Sequence, residues 1–167
     1  PGVYIVEKSA FPNSVVEAPT AIPAFIGITE KAVNGADSLS GKPWKITSMT
    51  EFQQYFGGAP APEFRLSVVD YPEKDASKTF YGIPSPDKSK LLRVEAPEVT
   101  FSLYYQMVMF FANGGGTCYI VSAGTYDQKS LIDKEKVVAA LTALKKEQEI
   151  TMVLVPEAVS VDECKDI

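Results

Sequence analysis

The order strand, helix, strand in the last third of the chain constrains its fold more than any other sequence feature. Residues 117–121 and 150–155 are short apolar runs typical of core strands, and a helical pattern separates them. When a helix joins two strands of one sheet, the strands run parallel to each other and the connection is a right-handed crossover. Antiparallel neighbours need only a short turn. The order therefore predicts an α/β fold in which helices pack on a mainly parallel sheet.

Two further strands are predicted closer to the N-terminus. Residues 24–29 form an apolar run with turn residues on both sides, which indicates a core strand. Residues 34–43 have the composition of a loop, and residues 44–47 indicate a brief strand or connector.

Capping signals and glycines mark two helices. A capping box from Ser48 to Glu51 opens the first helix, which Gly57 and the glycine after it end. Pro97 suits the first position of the second helix, and Asn113 followed by glycine ends that helix. The apolar residues of the second helix recur at helical spacing: Leu103, Tyr104, Met107, Val108 and Phe111.

A third helix lies between the two strands at residues 117–121 and 150–155. Ser130 and Asp133 form a second possible capping box, and Lys145 and Lys146 suit the C-terminal end of the helix. Four apolar residues are expected on one face: Val137, Val138, Leu141 and Leu144.

Residues 1–20 are predicted to form an extended arm and linker. Val3, Tyr4, Ile5 and Val6 are strand formers, and Pro12 and Pro19 argue against a helix in the segment that follows. Fully extended, 18 residues reach roughly 60 Å, well beyond the body of a domain of this size. Such a strand can add to the sheet edge of another subunit or fold back onto its own sheet, and the residues leave both arrangements open.

The rest of the chain is divided into an α/β domain and an insertion. Residues 21–58 and 96–167 are assigned to the α/β domain, and residues 59–95 to a proline-rich insertion or small peripheral β subdomain. Within the insertion, residues 65–69 and 79–81 could form a hairpin. Residues 157–167 carry no recognisable terminating element, so we expect the chain to be part of a larger subunit.

Composition disfavours several classes of function. The chain has no histidine, which removes the commonest general base and most zinc sites. Its formal net charge of −5 disfavours a nucleic-acid partner. The most apolar stretch, residues 99–112, contains polar residues and is shorter than the ~20 residues of a membrane span, so no direct membrane insertion is expected. Cys118 is expected to be a buried filler, and Cys164 lies in a polar tail.

Candidate chemical sites each have a simpler interpretation. The glycines of residues 113–117 follow a helix and lead into a strand, which favours a helix stop over a phosphate loop. The acidic pairs at residues 147 and 149 and at residues 162 and 163 fit a solvated surface. Aromatic pairs at residues 104–105 and 110–111 fit core and interface packing. The sequence predicts no catalytic, cofactor-binding or metal-binding residue.

Five stretches, in order, carry a resemblance to a known family. They are the opening Pro-Gly-Val-Tyr, the strand at residues 21–27, the helix region 46–58, the helix end at residues 110–115 and the strand at residues 118–121. The resemblance covers about residues 1–156. In these stretches the chain resembles contractile tail sheath proteins, which occur in phage tails and in phage-derived injection particles.

The resemblance implies a structural subunit. Such subunits polymerise as rings or helical strands around an inner tube, and contraction drives the tube through a target envelope. The resemblance makes Val3–Val6 a strand donated to a neighbour's sheet and residues 8–20 a hinge-like linker. It implies neighbouring sheath subunits, the inner tube, and baseplate and terminator or cap proteins as partners. The family's C-terminal domain, which holds the acceptor strands and the tube-facing surface, has no counterpart in these 167 residues.

Two alternatives stay open from the sequence. A baseplate or adaptor protein of the same kind of particle could share these stretches. A small α/β enzyme is the other alternative, and it would have to build its polar pocket without histidine.

Overall fold

A computed structural model describes residues 21–61, 64–70, 82–87, 89–95, 101–127 and 132–160. The predicted arm lies outside these residues, with Val3, Tyr4, Ile5, Val6, Pro12 and Pro19, and so does Cys164. The helices are α1 (Met49–Phe56), α2 (Leu103–Ala112) and α3 (Lys134–Leu144), and a 3₁₀ helix spans Pro156–Ser160. The strands are β1 (Pro23–Thr29), β2 (Val33–Asn34), β3 (Asp37–Ser38), β4 (Trp44–Ile46), β5 (Arg65–Asp70), β6 (Gly82–Pro84), β7 (Lys90–Glu95), β8 (Cys118–Thr125) and β9 (Met152–Leu154).

The predicted α/β fold is confirmed. Four strands form one sheet in the order β4-β8-β1-β9, in which β8 and β9 flank β1 and both run parallel to it. The edge strand β4 pairs antiparallel with β8. All residues of β1 after Pro23 are buried. A strand that is covered on both faces reads as a continuous apolar run, which is why β1 was recognisable in the sequence.

The two faces of the sheet are covered by different helices. Ile22, which precedes β1, and the alternate β1 residues Ala24, Ile26 and Ile28 pack with α3, and Phe25 on the opposite face packs with α1 and α2. The chain moves from β1 to β8 in one direction and from β8 past β1 to β9 in the other. Right-handed connections in opposite directions place their helices on opposite faces, as observed for α2 and α3.

The first capping prediction is confirmed. Ser48 Oγ accepts the N–H of Glu51 at 3.2 Å, and the Glu51 carboxylate in turn accepts the N–H of Thr47 at 2.6 Å. Gly57 ends α1 with φ 92°, a conformation that side chains rarely adopt.

The start of α2 was predicted too early. The helix begins at Leu103, after the non-helical residues Phe101 and Ser102, while Pro97 lies outside the described residues. Its end was predicted correctly. Gly115 N–H donates to the Phe110 carbonyl at 2.9 Å and Gly114 N–H donates to Phe111 at 3.1 Å, with φ 84° at Gly114. This is the Schellman arrangement, so the glycines stop a helix.

The prediction for α3 was wrong at its start and in part of its apolar face. Asp133 is the N-cap, accepting the N–H of Lys136 at 2.8 Å, and Ser130 lies outside the described residues. The helix ends at Leu144, so Lys145 and Lys146 follow it. Val138 is 46% exposed, and Ala140 is buried instead. Residues 137, 140 and 144 lie on one face of the helix, and residue 138 lies off that face.

The predicted loop at residues 34–43 contains part of a small hairpin, β2 with β3. The strand at residues 65–69 is confirmed as β5, but it pairs antiparallel with β7. Its predicted partner, residues 79–81, lies outside the described residues. Together β5, β7 and β6 form a second, three-stranded antiparallel sheet. The division into domains stays a prediction.

Cys118 is buried, as predicted, and burial raises the pKa of its thiol to about 12. The first residues of the predicted tail are described, and residues 161–167 lie outside the described residues. Pro156–Ser160 forms a 3₁₀ helix whose Glu157 is buried.

The close packing around Gly27 generates a prediction. A Cβ atom at this position would lie 2.5 Å from Glu157 Oε2 and 2.9 Å from Leu103 Cβ. Gly27→Ala should therefore lower the free energy of unfolding by about 1–3 kcal/mol, as overpacking does elsewhere. Urea denaturation measures the change. Gly116→Ala is the control, because nothing lies within 4 Å of its Cβ position. Equal stability of the two variants would contradict the packing described here.

Candidate assembly edge and the buried carboxylate

Among the strands that the structure describes, β9 lies at one edge of the four-stranded sheet. In the described part of the chain it pairs only with β1, with Pro23 opposite Met152 and Phe25 opposite Leu154. The outer side of an edge strand presents unpaired backbone N–H and C=O groups, which another strand can bind.

The opposite edge of the sheet carries a charge that β9 lacks. Strand β4 has Lys45 at its centre, and Lys45 Nζ lies 2.7 Å from Glu149 Oε1. The hydroxyl of Tyr119 donates to the same carboxylate oxygen. Strand β9 consists of Met152, Val153 and Leu154. Because lysine on an edge strand discourages pairing with other chains, β9 is the less protected edge.

The described surface beside β9 is mainly apolar. On one face a groove of about 440 Å³ lies between α3 and β9, and Val138, Leu141, Ile150 and Val153 line it, with Lys145 and Glu147 among the polar lining residues. On the other face Met152 is 55% exposed. A strand added at this edge would therefore meet apolar side chains on both faces.

The start of the described chain lies beside the start of β9. Ile22 N–H donates to Thr151 Oγ1 at 3.1 Å, and Thr151 N–H donates to the Ile22 carbonyl at 3.0 Å. Residues 1–20 therefore connect to the body of the protein at the N-terminal end of this edge.

A buried carboxylate lies at the carboxyl end of β1. Glu157 is 3% exposed, and its Oε1 accepts the N–H groups of Ser102 and Leu103, each at 3.0 Å. Its Oε2 accepts the N–H of Ile28 at 3.1 Å. Burial raises the pKa of Glu157, while these three N–H groups oppose that shift by stabilising the charged form.

Glu157 occupies the position where open α/β sheets commonly hold a ligand. Strands β8 and β9 lie on either side of β1, so the strand order reverses at β1, and the crevice at its carboxyl end meets the N-terminus of α2. A helix N-terminus attracts negative charge, and here the chain's own carboxylate supplies that charge. The side chain thereby connects the 3₁₀ helix to α2 and β1.

Sequence reasoning missed this residue for a physical reason. Glu157 is a single acidic residue after Pro156, and nothing local distinguishes it from a solvated glutamate. Its N–H donors come from residues 28, 102 and 103, which only the fold brings to it.

The other candidate residues occupy simpler environments. Glu149 is paired with Lys45 on the surface, where that hydrogen bond lowers the pKa of the carboxyl group. Asp162 and Glu163 lie outside the described residues. Tyr104 packs edge-on against Phe52 at 6.2 Å between ring centroids, whereas Tyr105 is 50% exposed.

Within the described residues, no three His, Cys, Asp or Glu side chains lie together as a metal site would require. No helix among those residues is both long and apolar enough to cross a membrane. No protein-family model matches the sequence, and no curated protein matches it.

The hydrogen bonds of Glu157 generate a second prediction. Glu157→Gln keeps the volume of the side chain but replaces one acceptor oxygen by an NH₂ group that faces backbone donors. We expect the free energy of unfolding to fall by about 1–3 kcal/mol, the usual cost of leaving buried polar groups unsatisfied. Thermal or urea unfolding measures the loss. Asp127→Asn makes the same chemical change at an exposed residue and should have little effect. A neutral result at both positions would contradict the role given to Glu157.

Proposed function

We propose that this protein is a structural subunit of a contractile sheath, of a phage tail or of a phage-tail-like injection particle. In this proposal it polymerises around an inner tube, and the terminal strand Val3–Val6 of each subunit adds to the sheet of a neighbour. The observation that carries the proposal is the edge of β9, which has no second partner strand among the described residues and is flanked mainly by apolar side chains. The resemblance of five sequence stretches to sheath proteins supports it independently.

The donor and acceptor are chemically matched. Val3, Tyr4, Ile5 and Val6 form a continuous apolar run rather than an alternating one. Such a strand suits a position with apolar surroundings on both faces, which the edge of β9 offers through the α3 groove and Met152. Backbone hydrogen bonds would supply affinity, and the side chains would set the register.

The linker is long enough for exchange between subunits. Residues 7–20 extend to roughly 45 Å at full stretch. A strand donated from one copy to the next is a head-to-tail contact, and a contact of this kind that does not close produces an open filament. Flexible connections would keep neighbours joined while rigid bodies repack during contraction.

The sheath role implies further partners and a location. The inner tube, the baseplate and the terminator or cap proteins would contact the assembled sheath. The particle would be assembled in the bacterial cytoplasm and would act outside the producing cell or anchored at it.

Electron microscopy of particles that contain the protein tests the role directly. Long striated tubes labelled along their length by an antibody to this chain would support the sheath role. A single labelled layer at one end would instead support the alternative of a baseplate or adaptor protein.

Removal of the proposed donor strand generates the third prediction. Deletion of residues 1–8 should leave a folded subunit, with an unchanged circular dichroism spectrum, that does not form tubes. Normal tubes from the deleted protein would refute strand exchange.

The acceptor edge is tested separately by adding a charge. Val153→Lys places a lysine on β9, where Val153 is 42% exposed. The variant should reduce tube formation at least several-fold, because a lysine on an edge strand discourages pairing with another chain. Val33→Lys is the matched control, because Val33 is 38% exposed and lies in the small hairpin away from the edge. Negative-stain microscopy and sedimentation measure the assembled fraction. Equal assembly of both variants would exclude β9 as the acceptor.

A further inference from the structure

The edge at β9 lies close to the arm of the same chain. In the parallel pairing of β1 with β9, Pro23 lies opposite Met152. Residues 1–20 therefore join the body of the protein one strand away from the outer side of β9. Each copy thus carries the strand-forming segment Val3–Val6 near its own acceptor edge as well as within reach of a neighbour's.

The linker between this segment and β1 is long enough to return to the edge. Neighbouring strands lie about 4.8 Å apart, so a strand added outside β9 would be about 10 Å from β1. An antiparallel strand would end beside Met152, at the level where β1 begins, and a parallel one would end beside Leu154, about 7 Å further along. Residues 7–20 extend to roughly 45 Å at full stretch, which exceeds either distance several-fold.

We propose that in the free subunit Val3–Val6 pairs with β9 of its own chain, and that assembly exchanges this strand for the same strand of a neighbour. The inference rests on the proposed sheath function, in which β9 accepts a donated strand. It adds to that function a closed state of the free subunit, in which the protein's own arm blocks the acceptor edge.

The sequence favours the arm over the other segments that lie outside the described residues. Residues 161–167 contain four charged residues in seven, which fits a solvated segment better than a strand with apolar side chains beside it. The internal segments are attached at both ends to described residues, and the longest of them, residues 71–81, joins two strands of the three-stranded sheet. Val3–Val6 contains no charge and has one free end.

The short linker makes pairing within one chain stronger than pairing between two free chains. A strand on a short linker that can span the gap has an effective concentration of about 1 mM at the edge, whereas free subunits at about 1 µM offer the same strand to one another at a thousandth of that concentration. An isolated subunit is therefore closed if the strand binds the edge with a Kd below about 1 mM. Single encounters between free subunits do not open it.

Exchange of the strand becomes favourable where other contacts accompany it. Pairing within a chain and pairing between chains place the same strand on the same edge, so the strand alone gives no preference for the polymer. In an assembly several contacts act together, and their combined strength favours the exchanged arrangement. The closed state therefore suppresses association of free subunits more than it suppresses growth of an assembly that already exists.

A labelled peptide with the sequence of residues 1–8 tests whether the edge is open. Its binding to the full chain is measured by fluorescence anisotropy, at a concentration where sedimentation shows a monomer. Tyr4→Pro with Ile5→Pro, which we call the arm variant, prevents pairing of the arm, because alternate residues of a strand donate their N–H groups to the same neighbour and proline has none. The matched control is Ser14→Pro with Val15→Pro in the linker.

We expect the arm variant to bind the peptide, and the unmodified chain and the linker control to bind it at least tenfold more weakly. The expected ratio is the effective concentration divided by the Kd of the peptide, about 100-fold for a Kd of about 10 µM. Addition of Val153→Lys to the arm variant should abolish binding, and addition of Val33→Lys should not, which would place the peptide on β9.

Two results of the peptide experiment would overturn the closed state. Equal binding by the unmodified chain and the arm variant would mean that the edge is open in the free subunit. Absence of binding by the arm variant would mean that the edge does not accept this strand, either from its own chain or from another.

Hydrogen exchange provides a second measurement that needs no ligand. In the closed state the outward N–H groups of β9 are hydrogen-bonded to the arm, so fragments that contain residues 152–154 should exchange at least several-fold more slowly in the unmodified chain than in the arm variant. Fragments that contain β4, Trp44–Ile46, are the internal control and should exchange equally in both proteins. Equal exchange at residues 152–154 would contradict the closed state.

The outcomes separate the closed state from the sheath role. Striated tubes labelled along their length, together with an unmodified chain that binds the peptide as tightly as the arm variant does, would overturn the closed state and leave the sheath role standing. A blocked edge in the free subunit, together with label confined to one end of the particle, would support the closed state and overturn the sheath role.

Discussion

The burial of β1 on both faces is the constraint on which the rest of the structure depends. One strand of seven residues has α3 against one face and α1 with α2 against the other, and it pairs with β8 and β9 on its two sides. Strands β8 and β9, helices α2 and α3 and the 3₁₀ helix all contact this strand. A strand in such a position cannot carry polar side chains without partners, and its buried Thr29 hydroxyl accordingly lies 2.7 Å from Ser122 Oγ.

At the carboxyl end of β1, where α/β sheets commonly hold a ligand, a side chain of the protein itself connects three elements. The N-terminus of α2 and the end of the strand present N–H groups to one point, and Glu157 fills it. The 3₁₀ helix that carries Glu157 follows β9 directly, so this carboxylate also supports the end of the open edge strand. The proposed assembly edge and the buried carboxylate are therefore adjacent in the chain, although they lie at different points of the sheet.

Among the described residues, mainly apolar surfaces are exposed at a strand edge, a sheet face and a helix side. A protein that acts alone in water has little use for such surfaces, since each one adds a risk of aggregation. In a filament each surface has a repeated neighbour, and several weak contacts per subunit combine into a stable assembly. Donation of a terminal strand would then keep neighbouring subunits connected.

The sequence by itself determined the α/β class, the core strand β1, the first helix with its Ser48 cap and the glycine stop after α2. These features depend on local chemistry: apolar runs, side chains that cap their own helix, and backbone angles open mainly to glycine. Only the tertiary structure decided the later starts of α2 and α3, the partner of β5, the burial of Glu157 and the open edge at β9. Each of these depends on groups distant in sequence, as when residues 28, 102 and 103 donate to one carboxylate, and no local pattern records which distant groups will meet.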